Sequence, residues 1–465
     1  MTRPTGPLRP GPTRRTFLRT ALFAGGAVAT VAGLGGLAPV VRLAQAQNVV
    51  DDPRYFIFCY FAGGWDILLG LDPRDPRVFT EGNLRTTRIQ PGYGLITGNR
   101  DIVTAPNGMQ FGPFIGELAG HAERLAVVRG MSMDTLTHEV GRRRFLTGKP
   151  PSGLTARGSS AATMLAARFG EADAIPNMAV QNESYNADQP FFASALSVNS
   201  VADLLRALRP SAPILPSLEE RQIHAFQREV AACPSPSASE TFTAAEAARL
   251  KARDMVQRGL DRLFDFTANT PEMQALRQHY GVTGNDSSPE AQALLAAQAI
   301  CGGVSRCVTI QATSGLDTHF QEWATDQGPR QQRGFNAVAR LISDLARREH
   351  PFTGRSYLDH TVVVGFSEFS RTALLNPFGG RDHALTNACF LAGGGIVGGQ
   401  VIGASSDVGL APQNVDFATG RVADVPEAGE TLRPEAVLRT LFSLSGVHDD
   451  VADLRVEPIG ALLPG

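Results

Sequence analysis

Short apolar runs punctuate this chain, and each stops at a glycine-rich or charged turn. Tyr55–Phe61 is apolar throughout and is closed by Gly63-Gly64, the pattern of a central strand buried on both faces. Thr361–Phe366 is rich in β-branched residues and stops at Ser367-Glu368, so it too reads as a buried strand. Leu125–Val128, Asn177–Gln181, Cys307–Gln311 and Asn387–Ala392 predict further strands. Between them the apolar spacing changes to three and four residues. Helices are predicted over 157–169, 329–348 and 433–445, and from His138 to a stop at Gly148. Strands alternating with helices predict a doubly wound, mixed but mostly parallel sheet.

Two stretches depart from that alternation. Residues 72–113 are rich in Pro, Gly, Asn and Arg and read as irregular surface. From about 198 to 301 the chain is helical in period, broken by a Pro/Ser loop near Cys233–Ser239; this predicts an inserted helical subdomain or cap. His224 and His279 lie there with no partner legible, and both read as structural.

Composition narrows the function classes. With 43 basic and 45 acidic residues the net charge is −2, which gives no electrostatic footprint for nucleic acid or an anionic membrane. Lysine occurs only at 149 and 251. Five cysteines, at 59, 233, 301, 307 and 389, are too scattered for a disulfide framework or a zinc knuckle. Cys301 and Cys307 flank a predicted helix-to-strand turn, where pairing is open; Cys59 and Cys389 read as core.

The first 46 residues read as an address. Arg14 and Arg15 in TRRTFLR form a twin-arginine signal, Thr20–Leu37 is a weakly apolar run, and Ala44-Gln45-Ala46 supplies a cleavage site after Ala46. The expectation is recognition by the twin-arginine translocase, release to the periplasm or medium, and a mature domain over 47–465. An uncleaved anchor is the alternative. No later stretch is long and apolar enough to span a bilayer, so no transmembrane segment is expected after cleavage.

Candidate chemistry gathers at the predicted strand ends, where open α/β sheets bind ligands. Asp66 follows the first strand on a two-glycine turn, placed either to reach a ligand or to cap the next element. Asp317 and His319 sit on the turn after Gln311, an Asp-x-His pair able to share one divalent ion. Glu368, Arg381, Asp382 and His383 follow the Thr361–Phe366 strand, and suggest a hard metal or an anion, or else a salt-bridged loop. His138 opens a helix whose amides, with Arg142–Arg144, offer an anion pocket; alternatively the arginines face solvent. Gly393–Gly399 is not followed by a helix, so it is no dinucleotide fingerprint, and no G-x-S-x-G elbow exists.

GGWD at 63–66, DTH at 317–319, SEFSR at 367–371, GGRDH at 379–383 and LAGGGIVGG at 391–399 resemble the domain of unknown function 1501 family. That resemblance implies export by the twin-arginine route and an alkaline phosphatase/sulfatase-like fold. It also implies one or two divalent ions, with zinc, calcium, magnesium and manganese not distinguished. Asp66 resembles the first-strand carboxylate, Asp317 and His319 the ligands of one metal, Glu368 an aspartate ligand and His383 the last histidine; Asp382 is a ligand or orients one. THEVGRRRFLTG resembles the sulfatase signature, with His138 where its Cys or Ser nucleophile stands and Arg142 at its arginine. Thr137 is the nearest hydroxyl. The resemblance therefore implies a metal-dependent phosphate or sulfate ester hydrolase with Arg142 and Arg381 binding the anion. The displaced nucleophile leaves open a non-catalytic extracytoplasmic protein that binds a partner in an envelope complex.

Overall fold

A computed structural model describes residues 53–209, 217–232 and 239–465. Arg14, Arg15, the cleavage site at Ala46 and Cys233 lie outside the described residues.

The six apolar runs all form strands, and two short ones join them. In chain order these are β1 (Tyr55–Phe61), β2 (Leu125–Ser132), β3 (Asn177–Val180), β4 (Leu196–Val198), β5 (Cys307–Thr313), β6 (Thr361–Phe366), β7 (Thr386–Ala392) and β8 (Gln400–Ile402). They make one eight-stranded sheet in the order β8-β2-β7-β6-β1-β5-β3-β4. Every pairing is parallel except those of β7, which runs antiparallel to both β6 and β2. One consequence positions the site. The carboxyl ends of β1, β2, β5 and β6 and the amino end of β7 share one edge of the sheet.

Helices cover the sheet on both faces. Phe56, Phe58 and Tyr60 of β1 join a core with Phe145, Leu165 and Leu441. These come from α1 (His138–Thr147), α2 (Ala161–Phe169) and, after the intervening helices, α9 (Pro434–Leu444). The alternate residue Phe61 packs at 4.8 Å on Phe335 of α8 (Gly328–Arg347), as the two-residue period of a strand requires. In α8, Phe335, Val338, Leu341, Ile342 and Leu345 recur at three and four and are buried, so that stripe fixes the helix on the sheet.

Among the described residues, the helical run over about 198–301 contains five α-helices. These are α3 (Val201–Leu208), α4 (Ser217–Ala232), α5 (Glu240–Arg258), α6 (Pro271–Tyr280) and α7 (Pro289–Cys301). The last differs from the others. Ser288 caps α7 by accepting from Ala291 N, Pro289 opens it, and residues 291–301 are all buried. It packs against β5 and α8, so it is the crossover helix feeding β5 and part of the main layers. Cys301 at its end and Cys307 at the start of β5 are free buried thiols. No described helix is long and apolar enough to cross a membrane.

Candidate functional site

At the shared sheet edge, three histidines and a carboxylate converge. Asp317, beyond β5, has Oδ1 2.9 Å from His319 Nε2 and 3.1 Å from His383 Nε2. The two Nε2 atoms are 3.0 Å apart. His138 Nε2 lies 3.4 Å from the other oxygen, Asp317 Oδ2. Donor atoms of His138, Asp317 and His383 all fall within 4.8 Å of one another.

The far side of each ring fixes its tautomer. His383 Nδ1 faces the carbonyl oxygen of Leu136 at 2.6 Å. A carbonyl only accepts, so Nδ1 carries the proton and the neutral ring turns a lone pair at Nε2 toward Asp317. His319 Nδ1 faces Asp382 Oδ1 at 3.0 Å, so its Nδ1 likewise meets an acceptor on the side away from Asp317. Two imidazole Nε2 atoms and a carboxylate oxygen thus converge, with carboxylate and carbonyl behind the rings. That is the donor chemistry by which proteins hold a divalent ion. Asp317, His319 and His383 could supply ligands.

His138 owes its place to a close approach. It is the first residue of α1, after Thr137 as N-cap, and α1 ends at Gly148 with φ 66°. One turn in, a Cβ on Gly141 would stand 2.2 Å from the carbonyl oxygen of Glu368, so only glycine lets α1 settle on the end of β6. Glu368 Oε1 then accepts from His138 Nδ1 at 2.7 Å and from Gly63 N at 2.8 Å. Its Oε2 accepts from Ser367 Oγ at 2.9 Å. Both oxygens of this fully buried carboxylate are engaged, so Glu368 orients His138 and is not among the converging donors.

The environments push the titrations apart. The hydrogen bond to Glu368 raises the His138 pKa against partial desolvation, helped by the charges of Glu368 and Asp317. Desolvation lowers that of His383, helped by Arg371 and His138. Burial opposes the charge on Asp317, but the hydrogen bond from Arg371 and its positive charge outweigh it and hold the carboxyl well below the usual range. The two environments thus favour the imidazolium at His138 and the neutral ring at His383.

Arg371 is the site residue that the sequence reading did not single out. Its side chain is fully buried and its Nη2 donates to Asp317 Oδ1 at 2.7 Å. Nε donates to the Gly64 carbonyl at 3.0 Å and Nη2 to that of Gly63. It pairs with His383 across a short antiparallel ribbon, Ser370–Arg371 with His383–Ala384. The signal was its place in SEFSR, beside Glu368.

Other sequence-predicted residues are placed elsewhere. Asp66 is fully buried, 3.1 Å from Arg381 Nε, and accepts from Trp323 Nε1 at 2.8 Å. The two charges face each other in the interior, so the structure brings neither Asp66 as a ligand nor Arg381 as an anion binder to the cluster. Asp382 is exposed and orients His319. Arg142 and Arg143 share Glu183, at 2.8 and 3.1 Å, while Arg144 turns to Asp134 and Glu435. Arg142 also lies 5.9 Å over the ring of Tyr60, whose hydroxyl is pushed up by burial and by Glu368. Thr137 is exposed, its hydroxyl 3.4 Å from that of Thr135.

Comparison with known families settles one matter. The model of a family of proteins of unknown function, DUF1501, matches residues 56–420. The chain belongs to that family. The matched span begins in β1 and runs beyond β8, so every member of the DUF1501 sheet and every residue of the cluster falls inside it. No curated protein matches the chain.

Proposed function

We propose that this protein is a divalent-metal-dependent hydrolase of a phosphate or sulfate ester, on an alkaline phosphatase/sulfatase-like fold and exported by the twin-arginine route. One observation supports the reading: the Nε2 atoms of His319 and His383 converge on Asp317 Oδ1 while their Nδ1 atoms are committed outward. A bound divalent cation would supply Lewis-acid stabilisation of charge developing on the ester oxygens. Arg371 already donates to Asp317 Oδ1, so the cation would share that oxygen with a guanidinium, which favours one ion over two.

His138 is the group we assign to proton transfer. Glu368 holds it at Nδ1 and favours the imidazolium, leaving Nε2–H at the cluster to protonate a departing alkoxide or phenoxide. Thr137, whose hydroxyl faces Thr135, is not given a role.

The test is elemental analysis of protein purified without chelators, with turnover of ester substrates. About one equivalent of divalent ion per chain is expected, lost together with activity in Asp317→Asn. Activity persisting in metal-free protein would end this reading. One observation favours a non-catalytic binding or scaffold role instead: the fork of Arg142 is filled by Glu183 from the same chain. Turnover abolished by His138→Gln would exclude that alternative.

A further inference from the structure

The cluster has an apolar lip. Phe320 and Phe378 are 56% and 64% exposed, yet their ring centroids are only 5.7 Å apart at 60°. Among the described residues this is the one pair of exposed phenylalanines in ring contact. Exposed aromatic area gathered at one point, rather than scattered, marks a binding surface.

The pair is tied to the candidate ligands. Phe320 directly follows His319. Phe378 rides on a turn held by Asn376, whose Nδ2 donates to the His319 carbonyl at 2.9 Å and to Asp382 Oδ1 at 3.0 Å. Its Oδ1 accepts from Phe378 N at 3.0 Å and Gly380 N at 3.1 Å. The same amide therefore sets the aromatic turn and the carboxylate that orients His319. The exposed Leu136 and Leu385 lie two positions from His138 and His383 in the chain, and the Leu136 carbonyl faces His383 Nδ1. The Asn376 hydrogen bonds thus hold the aromatic turn in fixed relation to the polar centre.

We infer that Phe320 and Phe378 form the platform for a flat apolar ring on the substrate. The substrate class is then an anionic ester whose carrier group is aromatic. This rests on the hydrolase reading, with the ester anion at the Asp317–His319–His383 cluster. A ring laid on one phenylalanine face meets the edge of the other, the offset and edge-to-face arrangements that aromatic groups prefer.

The test is calorimetric titration of metal-loaded protein with phenylphosphonate and methylphosphonate, which carry the anion but cannot be hydrolysed. Wild type should bind the phenyl compound roughly tenfold more tightly. The preference should vanish in a Phe320→Ala/Phe378→Ala variant of unchanged metal content. Equal affinities in wild type, or a preference that survives in the variant, would overturn the platform and leave the ester reading standing. Binding of neither phosphonate would overturn both. Wild-type dimers that become monomers in the variant, with the phenyl preference unchanged, would assign the pair to a second copy of the chain instead.

Discussion

Asp66 and Arg381 meet at 3.1 Å with both side chains fully buried, between the first strand and the turn that delivers His383. The indole face of Trp323 lies 4.7 Å from the guanidinium. Arg381 also donates to the carbonyls of Thr372, Gln90 and Pro91. Burial lowers its pKa, and the Asp66 charge opposes that. The pair is thus a clamp that fixes the entry to His383. Removing one member leaves the other charge unpaired in a dry site, which costs about 3–5 kcal/mol. Asp66→Asn should lower the denaturation midpoint accordingly, and on the proposed metal-site reading any protein that still folds should keep the wild-type content of divalent ion. A stable variant stripped of metal would instead return Asp66 to the ligand set.

A second prediction concerns Gly380. A Cβ there would stand 2.2 Å from the His319 carbonyl carbon, and backbone cannot yield as a flexible side chain can. Gly380→Ala should push the 376–380 turn away from His319, break the Asn376 contacts and cost roughly 1–3 kcal/mol. Metal affinity should fall with it, by about 10–100-fold, as when the group behind a ligand is disturbed. Thermal unfolding and metal titration on the same variant would check both effects.

Much of the sheet was legible because β1 and β6 are buried on both faces. Tyr55–Phe61 and Thr361–Phe366 occupy the residues that their apolar runs mark. Leu196–Val198 and Gln400–Ile402 were not legible: three residues at a sheet edge carry no period. The convergence of Asp317, His319 and His383 was visible as acids and histidines at strand ends. The pairing of Asp66 with Arg381 was not, since 315 positions separate them and local spacing does not report on tertiary charge partners. Arg371 was obscured for a related reason. Arginine is rarely buried, and here the burial depends on Gly63 and Gly64 carbonyls from another strand end.

Glu368 makes a third prediction. Its hydrogen bond and charge are what raise the His138 pKa, so replacing the carboxylate by an amide removes the cause. In Glu368→Gln the His138 titration, followed by its imidazole proton resonances, should move down. On the proposed hydrolase reading, ester turnover should then fall most for substrates with poor leaving groups, which need protonation. A His138 titration indifferent to this change would mean that Glu368 does not govern it.

The fourth prediction belongs to the opposite edge of the sheet. His350 is buried, with Nε2 3.4 Å from the Tyr55 hydroxyl, Nδ1 3.3 Å from Thr353 Oγ1 and its ring 5.0 Å from that of His360. Burial pushes its pKa down to about 4 from an ordinary 6.5, and the charges of His360, Arg306 and Arg355 add to the shift. The unfolded chain, with the higher pKa, binds a proton that the folded protein refuses. Stability from this group is therefore complete above pH 6.5, falls as pH drops below that value, and levels off once pH passes below about 4. One proton gives a slope of at most about 1.4 kcal/mol per pH unit. Urea midpoints for His350→Gln should show a flatter acid limb than wild type across that window, whatever the packing cost at neutral pH. Parallel acid limbs would mean that the loss of stability comes from other groups, with His350 charging freely in the folded state.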